Sequence, residues 1–437
     1  MNKHKQVIVV GAGMAGIAAG RTLHDAGVEV LLLEGRERIG GRTHTDYSLG
    51  TAVDLGGSWI HGPIGNPLTP LAEKFGVEMG YTDFDNETGE ALLVVERNGR
   101  QVDGAAFGEG IAYFSAMMAH TLASELFQPE KPLSITEAIT YDLPGVADLT
   151  PDQRLGFARE LDEGMQLHDA ADPDVVDWAR EQDYVILPGG DMLLHGGGYS
   201  RIAHGLAEGL TIETAVAVHK ISHDEDGVGL ETSNGRYTAE HVIITVPIGV
   251  LKAGTITFAP ELPAAKQAAL DRLGMGKFEK LALRFPHRFW PTEPHYIDFL
   301  PESMSDLCNS WLNMAHYSGE PVLVVHHAGS RAELVNKMSD GELIETAMSS
   351  LQTMFGDDIP SPESYVRTSW AADPFSQGAY SYPKVGGQAA DRKVLGEGIN
   401  GRLFFAGEAT HPSYFGTVHG AYETGVRAAR EVLTLRM

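Results

Sequence analysis

The chain has 437 residues, 43% of them apolar, and a formal net charge of −26. That length amounts to about two to three domains with large cores, and the acidity argues against nucleic acid or an anionic membrane as partner. One cysteine, Cys308, excludes an internal disulfide framework and a cysteine-rich zinc cluster, which fits a reducing compartment.

The first strand is expected by Gln6, leaving no room for a signal peptide. No apolar run of about 18 residues occurs, so neither a membrane span nor an anchor is expected and the chain reads as cytoplasmic. Acidity serves solubility and also attracts cationic ligands; composition alone does not choose between these. Nothing in the pattern sets the oligomeric state, and no metal site is expected.

The order Gln6–Val10, Gly11-Ala12-Gly13-Met14-Ala15-Gly16, an Ala-rich run to Gly27, then Val28–Leu33 and Glu34 reads as strand, glycine turn, helix, strand, acid. This is a dinucleotide-binding pattern with the right context on both sides. Gly11 permits the tight turn, and Gly13 lets the N–H groups that lead into Met14 and Ala15 approach a pyrophosphate. Gly16 lets helix and strand pack closely, and the helix N-terminus faces the phosphate charge. Glu34, 18 residues beyond Gly16, is placed to accept from a ribose hydroxyl. At this point NAD and FAD are equally served.

Next come Gly35, Arg38, Gly40-Gly41 and Arg42, then Leu55-Gly56-Gly57-Ser58-Trp59-Ile60-His61-Gly62. Arg42 is suited to a two-pronged phosphate contact. Two glycine clusters downstream of the fingerprint point to a long cofactor spread over several loops. These first 62 positions resemble the flavin-containing amine oxidase family of monoamine oxidases, polyamine oxidases and lysine-specific histone demethylases. The resemblance implies FAD, with Gly41 and Arg42 along the pyrophosphate and Gly57, Ser58 and Trp59 near the flavin. Trp59-Ile60-His61-Gly62 is most similar to the polyamine oxidases, in which the matching histidine lies close to the substrate; on its own His61 also reads as a loop histidine.

From Tyr81 to Gly189 helical periodicity and acids dominate, with breaks at Pro129, Pro132 and Pro144. The charges of Arg159–Glu163, His168-Asp169 and Asp172–Asp174 read as solvated helix faces, while the resemblance also offers such acids to the far ammonium of a long amine without singling one out. A β-rich stretch follows from Ile212 to Val250, turning at Asp224–Asp226; the resemblance places the Val218 backbone at the adenine. Lys280 opens what reads as an alternating strand, where a lysine is usually a solvated end. The resemblance instead implies the family's buried lysine beside the flavin, ahead of Phe285 and Trp290.

A helix is expected from Ser339 to Phe355, then Trp370 and Tyr380 in a segment similar to the one before the family's last cofactor motif. No cysteine stands near Pro383-Lys384, so FAD is expected to be non-covalent. The close, Phe404-Phe405-Ala406-Gly407-Glu408 through Tyr414-Phe415-Gly416-Thr417-Val418, is similar to the C-terminal FAD motif. By that likeness Gly407, Glu408, Thr417 and Val418 hold the cofactor. Tyr380, Tyr414, Phe415 and Thr417 bound the substrate, with Thr417 replacing a frequent aromatic.

The expected fold is α/β (α+β overall): a Rossmann-like FAD-binding domain of discontinuous segments with a mixed-sheet and helical substrate domain. The FAD-binding segments are 1–82, 188–287 and 385–437; the substrate segments are 83–187 and 288–384. The expected activity is FAD-dependent oxidation of a polyamine or acetylated polyamine by O2, with Lys280 and His61 in catalytic positions. The alternatives are a monoamine or amino-acid oxidase of the same fold, against which no arginine can be placed for a carboxylate, and a non-catalytic FAD-stabilised interaction module.

Overall fold

The computed structural model of the chain describes residues 4–84, 86, 89–123, 130–139, 148–179, 184–300 and 307–436. An eight-stranded sheet forms the first unit. His4–Val10 lies parallel between Val30–Leu33 and Gly235–Ile244. Thr211–Glu213 extends one side and Leu403–Phe405 pairs with Gly235–Ile244, both parallel. The antiparallel strands Val218–His223 and Val228–Thr232 complete the other side, edged by Thr257–Ala259.

The first strand shows why this sheet is buried on both faces. Successive side chains point to opposite sides, so Val7 and Val9 join Ile17, Leu23, Ile202 and Val432 under the helices, while Ile8 and Val10 join Ile221 and Leu230 below. Both faces of a parallel sheet must be covered, and the continuous apolar run supplies both sets. The sheet therefore draws on three separated parts of the chain.

A six-stranded sheet forms the second unit, in the order Ser364–Arg367, Phe278–Arg284, Val322–Ala328, Ser310–Asn313, Tyr296–Leu300, Leu92–Glu96. Three expectations change here. Phe278–Arg284 was grouped with the first domain, within 188–287, yet it pairs antiparallel with Val322–Ala328 and Ser364–Arg367. Nor does it alternate between buried and exposed: Glu279 through Leu283 are all buried, because both faces are packed. The stretch from 83 to 187 also contributes a strand, Leu92–Glu96, beside its helices Gly104–Ala123 and Pro151–Arg159. Pro132 precedes the short helix Ile135–Ile139; Pro129 and Pro144 lie outside the described residues.

The helix expected from Ser339 runs over Asp340–Phe355, with Ser339 as its N-cap. Ser339 Oγ accepts from Glu342 N at 3.3 Å, and Glu342 Oε2 accepts from Ser339 N at 2.8 Å, a reciprocal cap worth on the order of 1 kcal/mol. Among the described residues no helix is long and apolar enough to cross a membrane, and no His/Cys/Asp/Glu group is arranged to hold a metal.

Candidate active site

A cavity of about 1240 Å³ is lined by residues of both sheets. Small-molecule sites usually measure roughly 300–1,000 Å³, so this one has room for a long cofactor and a second molecule. Its lining includes Gly11, Gly13, Met14, Ala15, Glu34, Gly35, Gly41, Arg42, Gly57, Ser58, Trp59, His61, Val218, Lys280, Trp370, Tyr380, Gly407, Glu408, Phe415, Thr417 and Val418. Two expected residues are absent from it, Gly16 and Tyr414.

The three glycines of the first turn separate into different physical roles. A Cβ on Gly16 would fall 2.0 Å from the Gly11 carbonyl oxygen, so this glycine sets how closely helix and strand pack and does not face a ligand. Gly11 has φ +101°, and a Cβ there would meet Thr245 Oγ1 at 2.7 Å. A Cβ on Gly13 has no protein atom nearer than 3.8 Å, so the room it would fill belongs to the cavity. The helix Met14–Asp25 begins at Gly13 without a side-chain cap, leaving its first N–H groups for an anion. Glu34 Oε2 accepts from Ala12 N at 2.8 Å and Oε1 from Arg36 N at 2.9 Å. Each oxygen keeps a lone pair for a ribose hydroxyl. Beside it, the pairing of Val218–His223 with Val228–Thr232 shifts register between Val218 and Lys220. Such a bulge takes backbone groups out of the ladder, leaving them available to a ligand.

Arg42 and Glu408 meet each other first. Arg42 Nη1 donates to Glu408 Oε1 at 3.0 Å and to the Ala379 carbonyl at 2.5 Å. The expected two-pronged phosphate contact thus meets a guanidinium already tied to the C-terminal segment. Glu408 Oε2 accepts from Ser381 Oγ at 2.6 Å and Gly416 N at 2.9 Å. Burial pushes this carboxyl up, but Arg42, Ser381, Arg392 and Gly416 together bring it below the usual range.

Lys280 is buried, not a solvated strand end. Its Nζ donates to the Asp54 carbonyl at 2.9 Å, the Gly56 carbonyl at 2.8 Å and Ser58 Oγ at 2.6 Å. Three acceptors match the three protons of an ammonium, and Nζ lies 5.6 Å from the centre of the Trp59 ring. Burial lowers the Lys280 pKa, opposed by the nearby Asp54 carboxylate. Burial in turn raises Asp54, whose carboxylate is held by Thr45 Oγ1 and Tyr199 N. Trp370 Nε1 donates to the Leu55 carbonyl at 2.9 Å, fixing the same loop from the other side.

The aromatic residues differ in placement. Tyr380 hydroxyl donates to the Leu167 carbonyl at 2.6 Å, and its ring lies 6.0 Å from Phe278. Phe415 meets Tyr184 edge-on at 5.1 Å. Tyr414 instead stacks on His411 at 4.7 Å and lies behind His419, a lining residue, also at 4.7 Å. Thr417 caps the helix Val418–Thr434: its Oγ1 donates to the Tyr414 carbonyl at 2.7 Å and accepts from Gly420 N at 3.0 Å. The hydroxyl that replaces an aromatic is thus committed to the helix start. A Cβ on Gly57 would fall 2.7 Å from Val418 Cγ2, so these two pack loop against helix. His61 stands at the rim, its imidazole N–H donating from Nδ1 to Asp191 Oδ1 at 2.6 Å.

Several lining residues went unrecognised in the sequence. His326 and His419 line the cavity, and burial holds both well below the ordinary histidine pKa and neutral. Arg159 and Glu160 line it too. Of the helix-face charges read as solvated, Glu163 and Asp169 are buried, each 4% exposed, while His168 and Asp174 are exposed and the rest lie between. Arg159 lies against Asp298 at 3.0 Å and Glu160 at 3.3 Å, and Arg331 against Asp162 at 2.7 Å. Mutual pairing is what lets these charges leave water. Arg159 therefore joins the expected Arg42 in the cavity lining.

The profile of the family described as flavin containing amine oxidoreductase matches residues 14–433. The chain is 37% identical to a protein named polyamine oxidase 2 from Arabidopsis thaliana, over 97% of this chain and 87% of the relative. It is 36% identical to polyamine oxidase 4 from Oryza sativa subsp. japonica, over 97% and 88%. It is 33% identical to the human lysine-specific histone demethylase 2, over 98% of this chain but 53% of that protein. FAD is the cofactor of this family, and the cavity suits it: an uncapped helix start, the open side of Gly13, the Glu34 carboxylate and the loop carrying Ser58 can hold its parts. Fold, cavity and sequence agree: the chain belongs to the flavin-containing amine oxidoreductases.

Proposed function

We propose that the protein oxidises a polyamine or an acetylated polyamine at a C–N bond, with O2 as the final oxidant. The observation that carries this reading is the buried Lys280 ammonium, anchored on the Asp54–Ser58 loop where the glycine-rich lining gives way to aromatic walls. The chemistry that FAD supplies when bound is two-electron oxidation of the amine to an iminium, which water hydrolyses to an aldehyde and an amine, with H2O2 formed from O2.

The chain's own residues do the remainder. Tyr380, Phe415, Phe278 and Tyr296 form apolar walls that hold an alkyl chain and exclude water. Their faces also attract a cationic nitrogen, by about 0.5–2 kcal/mol per contact. Lys280 places one positive charge where negative charge enters the cavity during reduction, and fixed charges of this kind act strongly in a dry site. His61, polarised by Asp191 at the rim, is positioned to meet an amine as it enters.

The test is H2O2 release from spermine, spermidine, an acetylated polyamine, putrescine and benzylamine. Polyamines or their acetylated forms are expected to lead, and benzylamine to trail. His61→Ala is expected to raise KM for the leading amine several-fold with FAD content unchanged, as suits an exposed hydrogen-bonded pair at the rim. A benzylamine preference would reject the polyamine reading, and an unchanged KM would return His61 to a loop role.

A further inference from the structure

The loop whose oxygens hold Lys280 carries a second buried charge. Asp54 ends the short strand Val53–Asp54 and is 6% exposed. Thr45 Oγ1 donates to its Oδ1 at 2.5 Å, and Tyr199 N donates to its two oxygens at 3.1 and 3.2 Å. The helix Gly198–Ala207 has no side-chain cap at Gly197. Asp54 supplies one from a distant strand, at the helix end where negative charge is favoured. The Tyr199 hydroxyl donates back to the Trp59 carbonyl at 2.7 Å. One helix start thus braces both ends of the loop 54–59.

Geometry ties this carboxylate to Lys280. Lys280 Nζ lies 2.9 Å from the Asp54 carbonyl oxygen. Carbonyl and carboxylate oxygens of one residue stand at most roughly 5 Å apart, so the two charges lie within roughly 8 Å of each other. Both are buried, and a buried charge persists only with compensation. Among the described residues, the charge that acts on Asp54 is Lys280, and the charge that acts on Lys280 is Asp54.

The other titratable groups around Lys280 do not take over this part. His326, opposite it on Val322–Ala328, is held neutral, first by burial and then by Lys280 itself. Tyr199 stays a neutral phenol, raised first by burial and then by Asp54. Glu279, next to Lys280 on its strand, points to the other face. There Thr368 Oγ1, Trp370 N, Ala371 N and Asn336 Nδ2 all donate to it. Arg367 pairs with Leu281 on that same face, and its Nη1 donates to Asp340 at 3.1 Å.

We infer that Asp54 is a positioning residue for Lys280: its carboxylate keeps that side chain an ammonium, and its carbonyl holds the ammonium in place. This rests on the amine-oxidation reading above. Without the carboxylate the charged form of Lys280 is less favoured, so its charge survives only at lower pH. Two unit charges roughly 8 Å apart at an effective dielectric constant of about 20 correspond to a shift of about one pH unit or more.

The test follows anaerobic flavin reduction by spermidine or its monoacetylated form across pH. It compares the FAD-loaded wild type with Asp54→Asn, Thr45→Val, Lys280→Met and the Asp54→Asn, Lys280→Met double variant. The alkaline limb that Lys280→Met removes is expected about one pH unit or more lower in Asp54→Asn, with the lost rate regained on acidification. The double variant is expected to lose nothing beyond Lys280→Met, because the acid acts through the lysine. Thr45→Val removes a hydrogen bond that favours the ionised carboxyl, so its limb is expected to move the same way by less. If Asp54→Asn does not retain FAD, the Thr45→Val limb decides. A limb that stays in place, a loss in Asp54→Asn that is equal at every pH, or a further loss in the double variant leaves Asp54 a helix cap alone. Each overturns the inference and leaves amine oxidation intact, as does an alkaline limb that survives in Lys280→Met. No flavin reduction by either amine in the wild type at any pH overturns the oxidation reading and the inference with it.

Discussion

Lys280→Met is expected to retain FAD and to slow turnover about 10²-fold or more, the scale of losing one fixed electrostatic group in a dry site. Methionine fills a similar volume without the ammonium, so the loop Asp54–Ser58 loses three donated hydrogen bonds but keeps its packing. Ser58 Oγ still donates to the Asp54 and Gly56 carbonyls, both at 3.2 Å, which spares them full desolvation. The pH dependence is a separate check. Burial lowers the Lys280 pKa from its ordinary value, so its positive charge is present at low pH and lost as pH rises through that lowered value. The wild-type rate should therefore fall on the alkaline side before an ordinary lysine would titrate, and this limb should vanish in Lys280→Met. Wild-type rates and an unchanged profile in the variant would remove Lys280 from the chemistry.

Glu408→Ala is expected to cost about 3–5 kcal/mol of stability, the usual result of removing one partner from a buried ion pair, and to release FAD. The carboxylate joins Arg42 from the N-terminal segment, Ser381, and Gly416 at the approach to the last helix. Arg392 Nη1 also donates to Ser381 Oγ at 2.6 Å. Alanine leaves Arg42 and Arg392 short of a counter-charge in the interior. Because the folded-state pKa of Glu408 is depressed, its stabilisation is fully present above the unfolded-state value and is lost as pH falls through the folded one. Thermal unfolding should accordingly show a weaker loss of stability on acidification in Glu408→Ala than in the wild type. A melting temperature and FAD content unchanged from wild type would contradict this account of the junction.

These two residues show what the sequence discloses and what it does not. The glycine turn and Glu34 are legible because their chemistry is local: a strand, a turn of fixed spacing and a helix start dictate where the backbone N–H groups point. Glu408 reads in the sequence as a cofactor-site acid and lines the cavity, but its bond to Arg42 joins positions 366 residues apart. Lys280 taken alone reads as a solvated strand end, and only likeness to a family marked it as buried. The strand it occupies lost its alternation because both faces are packed, which no periodicity discloses.

A polar row across the six-stranded sheet was harder still. Lys280, His326, Ser310 and Asp298 come together through the registers of three strand pairs, and register depends on the assembled sheet. Arg159 read as a helix-face charge because its partners Asp298 and Ser310 lie more than a hundred residues away. Tyr414 failed for a smaller reason. The start of the final helix at Val418, capped by Thr417, turns the Tyr414 ring onto His411 and leaves Phe415 in the lining.

The measurement that bears most directly on amine oxidation is anaerobic: the FAD-loaded protein mixed with a polyamine or its acetylated form, with flavin absorbance followed and the products identified. The account predicts loss of the oxidised-flavin absorbance with formation of an aldehyde and an amine, and its return with H2O2 when O2 is admitted. Full retention of FAD with no absorbance change on any amine offered would contradict it.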